Sequence, residues 1–307
     1  MPVIRSQFHP PWLLRNPHLQ TILPLLSRRQ SGVVYQRERI ELPDGDFLDL
    51  DWLIAPRSGR VAILCHGLEG SSRDVTICGM ARALACNGWN VLAWNYRGCG
   101  GEINRLPRLY HSGETGDLAL IVNHAARRFA RLALVGFSLG GNLVLKYLGE
   151  APPHPALVTS VALSAPVNLA ASVRALDRRL DNRIYLRRLV RSLIRKVRAK
   201  ARQFPNRFDT ALVKGIHGLA DFDNRFTAPV HGFRDADDYW KRCSSRQFLS
   251  TIPVPTLILT AEDDPFLTED CLPFAEAEAS SRLFLEVPSN GGHLGFLETP
   301  ASNPTWA

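Results

Sequence analysis

Residues 132–145, LALVGFSLGGNLVL, decide how this chain folds. The run LALV is apolar at consecutive positions, which is typical of a strand buried inside a parallel sheet, and NLVL begins a segment with helical periodicity. A G-x-S-x-G sequence is informative only between a strand and a helix, and it stands there in this chain. Gly136 and Gly140 let the two backbones pass closely. The hydroxyl of Ser138 is then exposed at the N-terminus of a helix, where amide groups and the helix dipole favour negative charge, so we predict Ser138 as a nucleophile.

Short apolar runs on both sides of this turn predict the rest of a sheet. They occupy residues 61–65, 90–94, 158–164, 254–260 and 283–287. Segments with helical periodicity lie between most of them, at about 74–87, 113–130, 139–150 and 268–279. This alternation predicts an α/β fold with a mostly parallel sheet and right-handed crossovers. Residues 33–41 and 46–55 alternate apolar and polar positions around a Pro-Asp-Gly turn, which predicts an N-terminal antiparallel hairpin.

One long gap interrupts the alternation. From residue 166 to 246 no buried-strand run occurs, and the segment is helical and basic at first, then rich in His, Gly, Asp and aromatic residues. An insertion of this size between two strands predicts a cap over the carboxyl edge of the sheet, where α/β proteins bind ligands. We therefore divide the chain into an α/β core, residues 1–165 and 247–307, and a helical cap insertion, residues 166–246.

A serine nucleophile needs a base, and the base needs an orienting carboxylate. In strand–turn–helix hydrolases the chain order is serine, acid, histidine. Four histidines follow Ser138, but only His293 comes after the last two predicted strands. The loop after strand 254–260 offers three carboxylates, Glu262, Asp263 and Asp264. We favour Asp264, because an Asp-Pro step fixes an extended residue followed by a turn; Asp263 is the alternative.

Two backbone amides are predicted to form an oxyanion hole. One is the N–H of Leu139, directly after the nucleophile, and the other comes from the loop after strand 61–65. In that loop Leu68 is the best candidate donor, since Gly67 allows close approach. His66 is interpreted as a structural brace of the loop. We interpret Glu69 as a hydrogen-bond partner rather than a second base.

Several longer motifs make the chain resemble a known family. It resembles the YheT/EMB8-type α/β-hydrolases, related to the ABHD1 and ABHD3 group of animal enzymes, along nearly its whole length. The matching stretches are NPHLQT (16–21), HGLEGSS (66–72), NYRGCGGEINRLPRLYHSGETGDL (95–118), GFSLGGN (136–142), AEDDPF (261–266) and GGHLGF (291–296). The resemblance implies an α/β-hydrolase fold and a carboxylesterase-like serine hydrolase with Ser138, Asp264 and His293 as its triad. Substrates among relatives are lipid or short acyl esters.

The family pattern and this chain differ at the C-terminus. Family members continue beyond the histidine loop into a terminal helix, whereas only fourteen residues follow His293 here. We therefore expect that helix to be absent or short. The main functional hypothesis is cleavage of carboxylic esters through an acyl-enzyme, without a cofactor or metal. The alternatives are a membrane-docking phospholipase or acyltransferase, and a non-catalytic binding protein that keeps the fold.

The net charge of +8 is concentrated in one segment. Residues 174–202 hold twelve Lys or Arg against two Asp. A nucleic-acid partner is not expected, because that would need a broader basic surface with motif support. Apolar residues at helical spacing make 184–202 an amphipathic basic helix. It is either a cap helix with a solvated charged face or a surface that makes peripheral contact with an anionic membrane.

The other features of the sequence indicate in which cellular compartment the protein is expected. No apolar run of about 18 residues suggests a spanning helix, and prolines and basic residues interrupt the N-terminal segment, which does not resemble a signal peptide. The six cysteines show no metal-ligand spacing and are expected to be reduced. We expect a cytoplasmic protein, peripheral to the inner face of the membrane if the basic segment docks there.

Overall fold

A computed structural model describes residues 2–27, 32–55 and 58–298. The predicted shortening of the terminal helix concerns residues outside these ranges. Within them the chain forms one sheet of nine strands in the order β1-β9-β8-β7-β6-β4-β5-β3-β2. The strands are β1 (Val3–Ile4), β2 (Gln36–Glu41), β3 (Phe47–Leu53), β4 (Arg60–Cys65), β5 (Asn90–Asn95), β6 (Arg131–Phe137), β7 (Leu157–Leu163), β8 (Thr256–Leu259) and β9 (Leu283–Glu286).

The sheet is mostly parallel. β1 and β4 to β9 share one direction, and only the β2–β3 and β3–β5 pairs are antiparallel. The hairpin turn is tight: the N–H of Leu42 donates to the carbonyl of Asp46 at 2.8 Å, and Gly45 adopts a φ of 84° that favours glycine. The predicted fold, a parallel sheet with an N-terminal hairpin, is confirmed.

Helices cover both faces of the sheet. Those described are α1 (Pro17–Ser27), α2 (Val75–Cys86), α3 (Thr115–Ala126), α4 (Leu139–Glu150), α5 (Leu169–Arg178), α6 (Arg183–Gln203), α7 (Leu219–Phe222), α8 (Ala228–His231), α9 (Ala236–Cys243) and α10 (Phe274–Glu278). Helices α3 and α4 bury their apolar faces on one side of the sheet, and α2 packs on the other. Because both faces are covered, all six residues of β5 are buried.

The predicted helix over 268–279 is broken in the structure. Residues Glu269–Cys271 form a short 3-10 turn, and α10 begins only at Phe274. Pro273 lies between them, and Leu272 before it is extended, with φ −102° and ψ 98°. A proline disfavours helical dihedrals at the preceding residue, so the apolar periodicity continues across a break in the backbone.

The segment between β7 and β8 contains α5 to α9 and, within the described ranges, no strand. It has its own apolar cluster, and α6 contributes Leu186, Val190, Leu193 and Val197 to it. The division into core and cap stays a prediction. Among residues 2–27, 32–55 and 58–298, none of the helices has the length and apolar character required to cross a membrane.

Strand register sets the level of the loops at the carboxyl edge. Cys65, the last residue of β4, pairs with Gly136 of β6, and Leu259 of β8 pairs with Glu286 of β9. The loops that follow β4, β6, β8 and β9 therefore leave the sheet at one edge, which is where open α/β sheets bind ligands.

Candidate active site

The turn at Ser138 is shaped by steric exclusion. Ser138 has φ 53° and ψ −118°, an unusual backbone conformation for a residue with a side chain, and it caps α4. A Cβ atom on Gly136 would overlap the carbonyl of Gly140, and one on Gly140 would overlap the carbonyl of Cys65. The N–H of Ser138 donates to Leu163 O at 2.8 Å. Glycine at both positions is therefore what lets strand, turn and helix pack.

The structure brings three of the predicted site residues into one hydrogen-bonded row. His293 Nε2 lies 2.9 Å from Ser138 Oγ. On the other side of the ring, His293 Nδ1 lies 2.8 Å from Asp264 Oδ2 and 3.1 Å from Oδ1. Both Asp264 and His293 are buried. With Nδ1 protonated toward the carboxylate, Nε2 is free to accept the serine proton, which is the arrangement that nucleophilic catalysis requires.

Asp264 and Asp263 have different contacts. Only Asp264 reaches the imidazole, while Asp263 accepts a hydrogen bond from the N–H of Gly292 at 2.9 Å. Asp264 is itself oriented by the N–H of Phe266, which donates to Oδ1 at 2.9 Å. Burial raises the pKa of Asp263. In the structure Asp264 is thus the carboxylate that contacts the imidazole, and Asp263 contacts the backbone of the histidine loop; Asp264 stays the predicted acid.

The N-terminal segment holds the histidine loop, which the sequence did not predict. The N–H of His293 donates to Thr21 Oγ1 at 3.0 Å. Gln20 accepts from the N–H of Leu297 at 2.7 Å and donates to the carbonyls of Leu14 and Leu297. The motif NPHLQT (16–21) marked this segment in the sequence. Threonine and glutamine occur in many structural settings, however, so the motif alone did not show that Thr21 and Gln20 hold the histidine loop.

The loop after β4 lies directly beside the nucleophile. Gly67 is close enough that a Cβ there would meet the Cβ of Ser138 at 3.4 Å. His66 is fully buried; its Nδ1 lies 2.8 Å from Gly67 O, and its Nε2 accepts from the N–H of Tyr96 at 3.3 Å. Burial lowers the pKa of His66 to about 3, so the ring is neutral. At the first helical position the N–H of Leu139 has no intrahelical acceptor. Leu68 and Leu139 remain the predicted oxyanion donors.

A cavity of about 650 Å³ opens on this site. Ser138 and His293 line it together with the predicted donor residues Leu68 and Leu139. Much of the remaining wall is apolar and comes from residues 166–246, the predicted cap, including Val173, Leu176, Leu189, Leu193, Phe222 and Trp240. The size lies within the range of sites for small molecules.

One group of side chains in the described residues has metal-ligand composition. Ligand atoms of His111, Glu114 and His231 all lie within 4.8 Å of one another. However, His111 Nδ1 accepts from the N–H of Gly113 at 3.1 Å, so Nε2 holds the ring proton, directed at Glu114. The same carboxylate pairs with Arg108. His111 and Glu114 are therefore joined by polar contacts, His231 meets them through a ring contact with His111 at 4.6 Å, and burial lowers the pKa of both histidines to about 3.

Comparisons with known proteins agree with this architecture. A family model described as alpha/beta hydrolase fold matches residues 61–300. YheT of Escherichia coli is 36% identical over 299 residues, which cover 95% of this chain and 87% of that protein. Phospholipase ABHD3 of Mus musculus is 29% identical, over 97% of this chain and 75% of its own.

Among solved structures, the Pyrococcus furiosus esterase Pf2001 is similar in fold. It superimposes with a TM-score of 0.55 at 17% identity, covering 86% of this chain and 84% of that chain. At that identity the likeness concerns the fold alone. The resemblance inferred from the motifs is confirmed by the relatives in sequence, and the chain therefore belongs to the α/β-hydrolase fold family, in the group that includes YheT and ABHD3.

Proposed function

We propose that this protein is a serine hydrolase that cleaves carboxylic esters through an acyl-enzyme intermediate. The observation that supports it best is the row Ser138–His293–Asp264, with contacts of 2.9 Å and 2.8 Å, opening on a cavity. A nucleophile, a base within hydrogen-bond reach and a buried group that orients the base are the requirements of this chemistry.

The proposed reaction has two steps. In the first, Ser138 Oγ attacks the ester carbonyl carbon, and His293 Nε2 accepts the hydroxyl proton. Asp264 holds the imidazole and stabilises its protonated form, while the amides of Leu68 and Leu139 donate to the oxyanion. Collapse of the intermediate releases the alcohol, which takes the proton from His293. A water molecule then attacks the acyl-serine while His293 Nε2 accepts its proton. The bond between the acyl carbon and Ser138 Oγ breaks, His293 returns the proton to Oγ, and the carboxylic acid leaves.

The cavity favours esters with an apolar acyl or alcohol group. Its wall is largely aliphatic and aromatic where the cap segment covers the sheet edge, so an alkyl chain would exclude water there. We propose that the substrates are lipid or short acyl esters, as the name of the relative ABHD3 suggests for that protein. An alcohol in place of water in the second step would make the same site an acyltransferase.

Replacing the nucleophile tests the proposal. We expect Ser138→Ala to abolish hydrolysis of nitrophenyl esters of graded chain length, apart from a residual acceleration of about 10³-fold over water. Labelling by a fluorophosphonate probe should disappear with it. Ser192→Ala is the matched control, since Ser192 lines the same cavity and should keep wild-type turnover. Near wild-type hydrolysis by Ser138→Ala would refute the assignment, and a wild-type protein that neither reacts with the probe nor turns over would favour the non-catalytic alternative.

A second part of the proposal concerns access from a lipid surface. Arginines of α6 form an exposed groove with Ile184, and two of them, Arg188 and Arg195, also line the cavity. Leu25 and Leu26 of α1 line the same cavity and are exposed, Leu26 by 76%. Basic and apolar groups around one opening suit an anionic lipid interface.

Vesicle co-sedimentation tests this part. The wild-type protein should bind vesicles of phosphatidylcholine with phosphatidylglycerol more strongly than vesicles of phosphatidylcholine alone. The double change Arg187→Glu and Arg191→Glu should reduce that binding by about tenfold or more, because each basic residue near an anionic surface contributes ~1 kcal/mol. Arg82→Glu with Arg127→Glu changes the net charge equally at exposed positions on α2 and just after α3 and should have little effect. Equal binding to both vesicles would remove the docking proposal.

A further inference from the structure

A largely buried ion pair joins residues 166–246, the predicted cap, to the predicted oxyanion loop. Glu69 directly follows Leu68, and its Oε1 accepts from Lys196 Nζ at 2.8 Å. The carboxylate side chain is 3% exposed and the ammonium side chain 14% exposed. Lys196 belongs to α6, so this contact spans 127 residues of sequence. Both residues line the cavity that contains Ser138.

Tyr110 completes the arrangement around Glu69. The N–H of Glu69 donates to the Tyr110 hydroxyl at 2.8 Å, and the hydroxyl donates to Glu69 Oε1 at 2.8 Å. Glu69 has a φ of 58°, in the left-handed region that residues with a side chain rarely adopt. Such a conformation persists when surrounding contacts fix it. Here both the backbone and the side chain of the strained residue are fixed by one hydroxyl and one ammonium group.

Lys196 is placed to stay charged. Its Nζ also lies 2.9 Å from Cys99 Sγ and 4.9 Å from the centroid of the Tyr110 ring. Burial opposes the charge, but the interactions with Cys99 and Glu69 outweigh it, and the pKa of Lys196 lies above its ordinary value. Removal of either partner would leave the other charge buried without compensation, which is costly.

We propose that the Lys196–Glu69 pair is a positioning device that fixes the backbone amide of Leu68 for the oxyanion and does so only while α6 is seated on the core. This inference rests on the proposed serine-hydrolase function. In this proposal neither the Lys196 nor the Glu69 side chain touches the reacting atoms. If α6 also meets a lipid surface, the pair is the physical connection between that surface and the catalytic loop.

The main test is Lys196→Met. An amide that acts only on the developing oxyanion affects the transition state and not substrate binding, so kcat should fall while KM stays near the wild-type value. Deletion of an oxyanion donor costs about 10²–10³ in kcat, and a displaced donor should cost about 10- to 100-fold. Labelling of Ser138 by a fluorophosphonate should slow by a similar factor.

Lys200→Met is the matched control. Lys200 lies one turn further along α6, is buried, and donates to the carbonyls of Asn104 and Leu106. It anchors the same helix without touching Glu69. Its loss should lower thermal stability and leave kcat within about twofold of wild type. Equal loss of kcat in Lys196→Met and Lys200→Met would show that any loosening of α6 suffices, and would overturn the proposal.

A double variant shows whether Glu69 and Lys196 affect kcat as one pair or independently of each other. If Glu69 and Lys196 act as one unit, Glu69→Gln combined with Lys196→Met should be no slower than the slower single variant. Losses that multiply would overturn the proposal. If Lys196→Met does not fold, as judged by circular dichroism, Tyr110→Phe decides with the same kcat and KM measurement. Unchanged kcat in these variants, with an active wild-type enzyme that requires Ser138, refutes the positioning role alone; an inactive wild type refutes the hydrolase function instead.

Discussion

The turn at Ser138 and the loop around His293 meet at one hydrogen bond, but they are held in different ways. The turn is shaped mainly by glycines within two residues of the serine, whose missing side chains admit the backbones of α4 and β4. The N–H of His293, by contrast, donates to Thr21, 272 residues away in sequence. One half of the site is therefore specified by local sterics and the other by long-range contacts, so the two halves should respond differently to substitution.

The largest effect should come from the residue that orients the histidine. Asp264→Asn should lower kcat by about 10⁴-fold, equivalent to ~5.5 kcal/mol in the barrier, because an amide does not stabilise the protonated imidazole and favours the wrong tautomer. Steady-state hydrolysis of a nitrophenyl ester measures this. Asp263→Asn is the control: it keeps an acceptor for the N–H of Gly292 and should stay within about tenfold of wild type. If Asp263→Asn lowered kcat more than Asp264→Asn, Asp263 rather than Asp264 would be the acid of the triad.

A smaller effect is expected at the local half of the site. Gly140→Ala should lower the free energy of unfolding by about 3 kcal/mol, since its Cβ meets backbone carbonyls of residues 65 and 66 that have little freedom to move. Urea denaturation measures the change. Gly79→Ala in α2 is the control, because nothing lies within 4 Å of its added Cβ. Alanine there should stabilise by about 0.5–1 kcal/mol. A tolerated Gly140→Ala would show that the turn is not governed by sterics.

The smallest effect should come from the long-range half. Thr21→Val keeps the side-chain shape but removes the acceptor of the His293 N–H. An unpaired buried amide costs about 1–3 kcal/mol, so stability should fall by that order and kcat several-fold. Urea denaturation and steady-state kinetics measure both. Thr21→Ser restores the hydroxyl and should recover most of the loss; if Thr21→Val behaved as wild type, the N-terminal segment would have no part in holding the loop.

The same contrast explains what could be predicted from sequence. The Gly136 and Gly140 spacing, the buried strand before it and the helix after it are all local patterns, and the parallel sheet and hairpin followed from similar signals. Asp264 and His293 came from chain order and from the loops that follow two strands. Their meeting with Ser138 at the sheet edge is a matter of topology, which the strand and helix alternation indicates.

Contacts between distant segments were not predictable in this way. β1 has only two residues, Val3–Ile4, which are too few to show the alternation of apolar and polar positions that predicts a strand. α1 contains Pro24, and a proline ordinarily argues against the interior of a helix. The partners of Glu69 come from two other segments, and only folding shows that Lys196 faces inward while its neighbour Arg195 lines the exposed groove. Sequence patterns report which face of an element is apolar, not which residue lies opposite.

Pairing of the first strand with the last has a consequence for biosynthesis. β1 pairs with β9 and Thr21 supports the loop that follows β9, so these two contacts cannot form when their N-terminal partners are made, whereas α1 already packs against the nearby α2. Domains are made from the N-terminus at about 5–20 residues per second, which separates the synthesis of Thr21 from that of His293 by on the order of ten seconds or more. Most strands of the sheet can therefore be made before the hydrogen bond that holds the backbone of His293 is able to form.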